Sequence, residues 1–149
     1  MKANPLRILL ADDDESDRLN FSEALEELKI HVTIHTVNDG IELMNYLGSR
    51  LPQLPDLLFL DLNMPRMNGK ECLCEIRNKS EMKNMAIAIY STSSTEKDIE
   101  ETFLSGANVY IKKPNDFKIL KQILSEVVKS ASIYKHPPFN ISNFLLRVQ

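Results

Sequence analysis

Short aliphatic runs alternate with longer segments of helical periodicity along this chain, and this alternation constrains the fold more than any other feature. Aliphatic runs of this kind are typical of parallel strands that helices cover on both faces. We predict five strands, at Leu6–Ala11, His31–Val37, Leu57–Leu60, Ala86–Ser91 and Val109–Ile111. Five helices are predicted between and after them, near Ser16–Leu28, Ile41–Gly48, Gly69–Asn78, Lys97–Ser105 and Phe117–Ser130. The sequence therefore predicts an α/β fold built on a doubly wound, five-stranded parallel sheet.

The first helix and the second strand show the two periodicities most clearly. Apolar residues recur at helical spacing from Phe21 to Leu28, with glutamates on the opposite side. Ser16 is the predicted N-cap of this helix, Asp17 suits the positive end of its dipole, and Asp14 is interpreted as a solvated acid near the helix start. The run "HVTIHTV" alternates apolar and polar residues, which predicts an edge strand with one face in water.

Length and charge bear on the number of domains and on the partners. At 149 residues the chain accommodates one ordinary domain, which we assign to residues 1–132. The net charge of −3 does not exclude nucleic acid or an anionic membrane but argues for neither, and we expect no direct binding to either of them. No segment approaches the roughly 20 apolar residues of a membrane span, and no signal peptide precedes the first acids, so we expect a cytoplasmic protein.

The last residues, 133–149, form a tail that is too short to be a second domain. It contains Pro137 and Pro138, and after them it is rich in large apolar side chains, which are Phe139, Ile141, Phe144, Leu145 and Leu146. Leaving these side chains in water would cost roughly 25 cal/mol per Å² of surface that could be buried. We therefore expect the tail to fold back over the domain or to meet a second subunit in a homodimer.

Polar residues follow the strands where their carboxyl ends should meet. The run "ILLADDDES" places Asp12 and Asp13 after the first strand, and Asp61 follows the third. Two such carboxylates about 4 Å apart repel by roughly 4 kcal/mol at an effective dielectric of about 20, a cost that a divalent cation would offset. Clustered carboxylates are the ligands that Mg²⁺ prefers, and a carboxylate is also a nucleophile toward phosphorus. Ser91 and Lys113 end the fourth and fifth strands and complete the candidate site.

Each of these motifs has a more ordinary interpretation when it is taken alone. A run of aspartates before a helix is usually a cap, Asn68-Gly69 is a turn signal, and Lys-Lys-Pro is common in surface loops. In combination, however, "LLADDDE", "LDLNMPRMNG", "YSTSS" and "YIKKP" resemble, in order and spacing, the motifs of response-regulator receiver domains of bacterial two-component signalling. The resemblance covers about residues 6–130 and implies the flavodoxin-like strand order 2-1-3-4-5.

The resemblance also implies a magnesium site and a phosphoacceptor. Asp61 would accept the phosphoryl group from a sensor histidine kinase or a phosphotransfer domain. Asp13 would bind Mg²⁺ directly and Asp12 mostly through water. The backbone carbonyl of Asn63 would supply a further ligand.

The remaining roles implied by the resemblance concern the phosphoryl group and the signal. Ser91 and Lys113 would contact the phosphoryl oxygens, and the space that Ser91 vacates would let Tyr110 rotate inward. Asn63 and Ser93, each two positions after a site residue, would tune hydrolysis of the acyl phosphate. A downstream protein would bind the face formed by the fourth helix, the fifth strand and the fifth helix.

Two other functions fit parts of the pattern. A magnesium-dependent phosphohydrolase would also form an aspartyl phosphate, but such enzymes often carry a second acid where this chain has Asn63. A receiver-like scaffold that is not regulated by phosphorylation would usually have lost one of the site residues. We therefore expect a signalling protein that catalyses only its own phosphorylation and slow dephosphorylation, and no external reaction.

Overall fold

The structure is a computed structural model that describes residues 4–50, 53–131, 138 and 140–146. Its strands are β1 (Leu6–Ala11), β2 (Val32–Val37), β3 (Leu57–Leu60), β4 (Ala86–Ser91) and β5 (Val109–Lys112). Its α-helices are α1 (Glu15–Leu28), α2 (Gly40–Ser49), α3 (Gly69–Arg77), α4 (Glu96–Leu104) and α5 (Phe117–Lys129). All four strand pairings are parallel, and the order is β2-β1-β3-β4-β5. The predicted fold class, flavodoxin-like with five helices, is confirmed.

The sheet separates two layers of apolar side chains. Leu9, Leu58 and Ile87 lie on the face that also buries residues of α2 and α3. Their sequence neighbours Leu10 and Phe59 lie on the other face, which α1 and α5 cover. Because β1, β3 and β4 are buried on both faces, they form a rigid scaffold whose carboxyl ends hold the candidate site.

The edge strand and the helix starts differ slightly from the sequence predictions. β2 begins at Val32 and not at His31, and alternate residues along it are exposed, as expected for an edge strand. The predicted cap at Ser16 is wrong, because α1 begins at Glu15 and Asp14 is the N-cap. The Asp14 carboxylate accepts a hydrogen bond from the backbone N–H of Asp17 at 2.9 Å. None of the helices in the described ranges is both long and apolar enough to cross a membrane.

Part of the C-terminal tail lies along the outer edge of β5. The backbone N–H of Tyr110 donates to the carbonyl of Phe144, and its carbonyl accepts from the N–H of Leu146, both at 2.9 Å. Leu145 makes a parallel bridge with Tyr110. The Phe144 ring is fully buried, with its centroid 5.5 Å from that of Phe103 and 6.0 Å from that of Tyr110.

The remaining apolar side chains of the tail are less buried. Ile141, in a short 3₁₀ turn at Ile141–Asn143, is 42% exposed, and Leu145 and Leu146 are half-buried. Phe139 lies outside the described residues. Phe144 is therefore the side chain that fixes the described part of the tail to the α4 and β5 surface.

Candidate functional site

Backbone hydrogen bonds extend beyond the strands and fix the residues of the site. The N–H of Asp12 donates to Val37, and the N–H of Asp61 donates to Ala11 at 2.9 Å. On the other side, the N–H of Lys113 donates to the carbonyl of Ser91 at 2.8 Å. These bonds continue the pairing of β1 with β2, of β3 with β1 and of β5 with β4, and the strand order reverses between β1 and β3.

Three carboxylates converge between β1 and β3. Oxygen atoms of Asp12, Asp13 and Asp61 lie within 4.8 Å of one another. Asp12 and Asp61 are buried, whereas Asp13 is exposed at the mouth of the cluster. This arrangement brings together the three acids that the sequence singled out, and their hard oxygen atoms suit a divalent cation.

The Oδ2 atom of Asp12 offers a test of whether a cation fits. This buried atom forms an ion pair with the Lys113 ammonium at 2.8 Å but accepts no hydrogen bond from the other described residues. A buried carboxylate oxygen with spare lone pairs is costly unless another group binds it. The residues therefore fit Mg²⁺, with Asp13 adding a ligand that is open to solvent.

Lys113 carries the positive charge of the site. Its ammonium lies 2.8 Å from Asp12, 2.9 Å from Asp17 and 3.3 Å from Asp61, and only 8% of its side chain is exposed. Burial alone would lower the pKa of Lys113, but its bonds with Asp12 and Asp17 outweigh burial and raise the pKa. The lysine therefore stays protonated, and its three carboxylate contacts hold the ammonium in place.

Burial dominates the ionisation of the two buried acids. It raises the pKa of Asp61 to about 6, and the negative charge of Asp12 acts in the same direction against the opposing charge of Lys113. Burial also raises the pKa of Asp12, although bonds with Lys113 and with the N–H of Asp14 oppose this shift. The pocket thus disfavours a pair of bare carboxylates, which a bound cation would stabilise.

The loop that follows Asp61 is fixed by a close backbone contact. The N–H of Asn63 donates to the Oδ1 atom of Asp61 at 3.3 Å, and the N–H of Gly69 donates to Leu62 at 2.9 Å. A Cβ atom on Gly69 would lie only 2.2 Å from the carbonyl oxygen of Asp61. Glycine is therefore required at the start of α3, because any side chain would displace the backbone of the candidate phosphoacceptor.

Ser91 is buried at the end of β4, but its hydroxyl does not join the acids. Among the hydrogen bonds of the described residues, its Oγ atom accepts from the N–H of Ser93 at 3.2 Å, and none connects it to Asp61 or Lys113. The hydroxyl of Tyr110 donates to the carbonyl of Ser93 at 2.8 Å. Ser91, Ser93 and Tyr110 thus form a separate group beside the acid pocket.

The side chain of Tyr110 is fully buried. The physical reason is the packing of Phe144 against the ring together with the hydrogen bond to Ser93. The role of Tyr110 as a switch residue stays a prediction.

Sequence reasoning missed one residue of the pocket. Asp17 was assigned only to the helix dipole, yet its carboxylate contacts the ammonium of Lys113. It lies in the first turn of α1, four positions after Asp13, so it returns to the same end of the sheet. The position of Asp17, four residues after Asp13, was the signal in the sequence from which its place in the pocket could have been predicted.

Comparisons with known proteins agree with this geometry. The sequence profile of the family described as response regulator receiver domain matches residues 8–125. The response regulator Rcp1 of Synechocystis sp. is 28% identical over 132 residues, which span 85% of this chain and 89% of Rcp1. The crystal structure of the phosphorylated cyanobacterial phytochrome response regulator RcpA superposes with a TM-score of 0.79 and 32% identity, over 86% of this chain and 94% of that one. The Mn²⁺-bound form of Rcp1 has a TM-score of 0.75 and 28% identity, over 85% of this chain and 93% of its own.

Proposed function

Because this chain belongs to the response regulator receiver domain family, we propose that it is a phosphorylation-dependent signalling protein whose phosphoacceptor is Asp61. The donor is a phosphohistidine on a sensor histidine kinase or a phosphotransfer domain. Receiver domains are signalling proteins and not enzymes that turn over an external substrate. The observation that carries the proposal is the convergence of Asp12, Asp61 and Lys113 on one buried pocket.

Mg²⁺ is the proposed cofactor of this pocket. The carboxylates of Asp12, Asp13 and Asp61 would hold it, together with the backbone carbonyl of Asn63. The Mn²⁺-bound form of Rcp1 supports a divalent cation in a related protein. When bound, the cation would neutralise charge on the carboxylates and on the transferring phosphoryl group.

The side chains of this chain perform the transfer. A carboxylate oxygen of Asp61 forms the new bond to phosphorus as the bond between phosphorus and the histidine nitrogen breaks, and the electron pair of that bond goes to the imidazole. Lys113, a fixed cation beside Asp61, balances the charge of the phosphoryl oxygens. The hydroxyl of Ser91, which accepts a hydrogen bond from the N–H of Ser93, would donate its proton to one of those oxygens.

The signal leaves through the α4-β5-α5 face, which Phe103 and Tyr110 help to form. Movement of the Ser91 hydroxyl toward the phosphoryl group would change its contact with Ser93, at the start of the loop before α4, and so pass the change to this face. The described tail segment, residues 140–146, contacts this face through Phe144. Asn63 and Ser93 set the rate at which the acyl phosphate hydrolyses.

Phosphate uptake from a small donor tests the proposal. Wild-type protein incubated with Mg²⁺ and acetyl phosphate should gain one phosphoryl group, detected by intact mass, and Asp61→Asn should gain none. Glu126→Gln removes an exposed acid on α5 and should label like the wild type. Labelling of Asp61→Asn at the wild-type level would refute the site.

The same preparations separate the two competing functions. Sustained phosphate release from a generic aryl phosphate would indicate a phosphohydrolase. Absence of labelling in the wild type would indicate a scaffold that phosphorylation does not regulate.

A further inference from the structure

Ser93 is the point at which the β4–α4 loop is tied to its surroundings. Its N–H donates to Ser91 and its carbonyl accepts from Tyr110, as described above. Its hydroxyl donates to the carboxylate of Asp98, one turn into α4. One serine therefore connects the candidate phosphoryl-contacting hydroxyl, the buried tyrosine and a helix of the output face.

Asp98 is in turn held by a lysine on another helix. The ammonium of Lys70, the second residue of α3, lies 2.6 Å from Asp98 Oδ1 and 3.0 Å from Glu101 Oε2. The bond with Lys70 lowers the pKa of Asp98, and the reciprocal bond raises the pKa of Lys70. The side chains are only 33% and 21% exposed, so solvent screens this pair less than an open surface pair.

Lys70 is also close to the phosphoacceptor along the chain. It follows Gly69, whose backbone packs against the carbonyl of Asp61. In the described residues its ammonium pairs with acids of α4 and not with those of the pocket. The lysine thus connects the start of α3, which packs against Asp61, with the first turns of α4, which follow the β4–α4 loop.

We propose that Lys70 is a positioning residue, which acts through Asp98 and Ser93 to hold the β4–α4 loop in the arrangement that receives a phosphoryl group on Asp61. The inference rests on the proposed function and adds a residue to it. The Tyr110 ring is buried, and the Ser93 carbonyl that accepts its hydroxyl is fixed by the bond from Ser93 to Asp98. Without Lys70, part of the binding free energy of the phosphoryl group would be spent on ordering this loop.

Calorimetric titration with beryllofluoride, which resembles a phosphoryl group, tests the proposal at saturating Mg²⁺. Lys70→Gln should bind beryllofluoride about fivefold more weakly than the wild type, near the upper range for a partly exposed ion pair. The affinity for Mg²⁺ alone, and the thermal unfolding midpoint, should stay at their wild-type values. If Lys70 only stabilised the fold, the unfolding midpoint would fall together with the affinity for beryllofluoride.

Lys97→Gln is the matched control. It removes the same charge from α4, but Lys97 is 80% exposed and its ammonium lies 4.0 Å from Glu101. We expect a change of less than about twofold in beryllofluoride affinity for this variant. An effect equal to that of Lys70→Gln would show that only the overall charge matters and would overturn the proposal.

Ser93→Ala tests the route of the effect. If Lys70 acts through Ser93, adding Lys70→Gln to this variant should produce no further loss of beryllofluoride affinity. Additive losses, or wild-type affinity in Lys70→Gln, would overturn the inference while leaving the proposed function intact. A wild-type protein that does not bind beryllofluoride would refute the proposed function and this inference together.

Discussion

Replacing the candidate phosphoacceptor by its amide, Asp61→Asn, should stabilise the metal-free protein at neutral pH. Burial raises the pKa of the Asp61 carboxyl from 3.8 to about 6, and only 4% of the residue is exposed. Between these two values the folded chain holds a proton that the unfolded chain has released. Stability of the metal-free wild type therefore falls as pH rises through this window and stays lower above it.

The size of the effect follows from the shift. About two pKa units at about 1.4 kcal/mol each set an upper limit of about 3 kcal/mol. Asparagine removes this ionisation, but it also removes one of three carboxylates from Lys113. We therefore expect Asp61→Asn to be more stable than the wild type by about 1–2 kcal/mol at about pH 7.5.

Urea unfolding in the presence of a chelator, followed by circular dichroism, measures the difference. The gain should shrink to less than half at about pH 4.5, where the folded wild type keeps its proton. Glu126→Gln, on an exposed position of α5, should equal the wild type at both pH values. The reasoning is refuted if Asp61→Asn is the less stable protein at about pH 7.5, or if its advantage does not depend on pH.

Three further predictions concern the cation, the tail and a glycine. Mg²⁺ should raise the unfolding midpoint of the wild type more at about pH 7.5 than at about pH 4.5, because protons compete with the cation for the same carboxylates. The midpoint of Asp61→Asn should rise less, and a rise equal to that of the wild type would contradict the assigned ligands. Phe144→Ala should lower the free energy of unfolding by about 2 kcal/mol, because the ring is fully buried, whereas Ile141→Ala, at a 42% exposed position, should change it by less than about 0.5 kcal/mol. Equal losses in the two variants would show that the tail does not pack as described. Gly69→Ala should destabilise the fold and reduce phosphate uptake, because its Cβ would meet the Asp61 carbonyl. Gly48→Ala, whose Cβ would have nothing within 4 Å, should leave phosphate uptake unchanged and should be neutral or stabilising in unfolding.

The sequence was most informative where the required signal is local. β1, β3 and β4 have the predicted bounds, because each is an aliphatic run that ends at polar residues. The two acids Asp12 and Asp61 follow such runs directly, so the parallel sheet alone places them side by side. The start of α1 was harder to predict, since Asp14 and Ser16 are both good caps and the turn depends on the bond from the Asp14 N–H to Asp12.

Contacts between distant segments were not predictable in the same way. Asp17 meets Lys113 across 96 positions, and that contact depends on how α1 packs against the sheet. The lysine of α3 that pairs with Asp98 is 28 positions from it and gives no periodic signal. The buried position of Tyr110 depends on Phe144, which a short apolar tail does not specify by its composition.

The contact of the tail with β5 also bears on how copies of this chain behave when crowded. A bare edge strand presents unpaired amides and carbonyls that can template the addition of a foreign strand. Here the outward N–H and carbonyl of Tyr110 are already taken by Phe144 and Leu146. Proteolytic loss of the segment that carries Phe144 and Leu146 would expose this edge of the sheet, and the shortened protein would be the form most prone to self-association and precipitation.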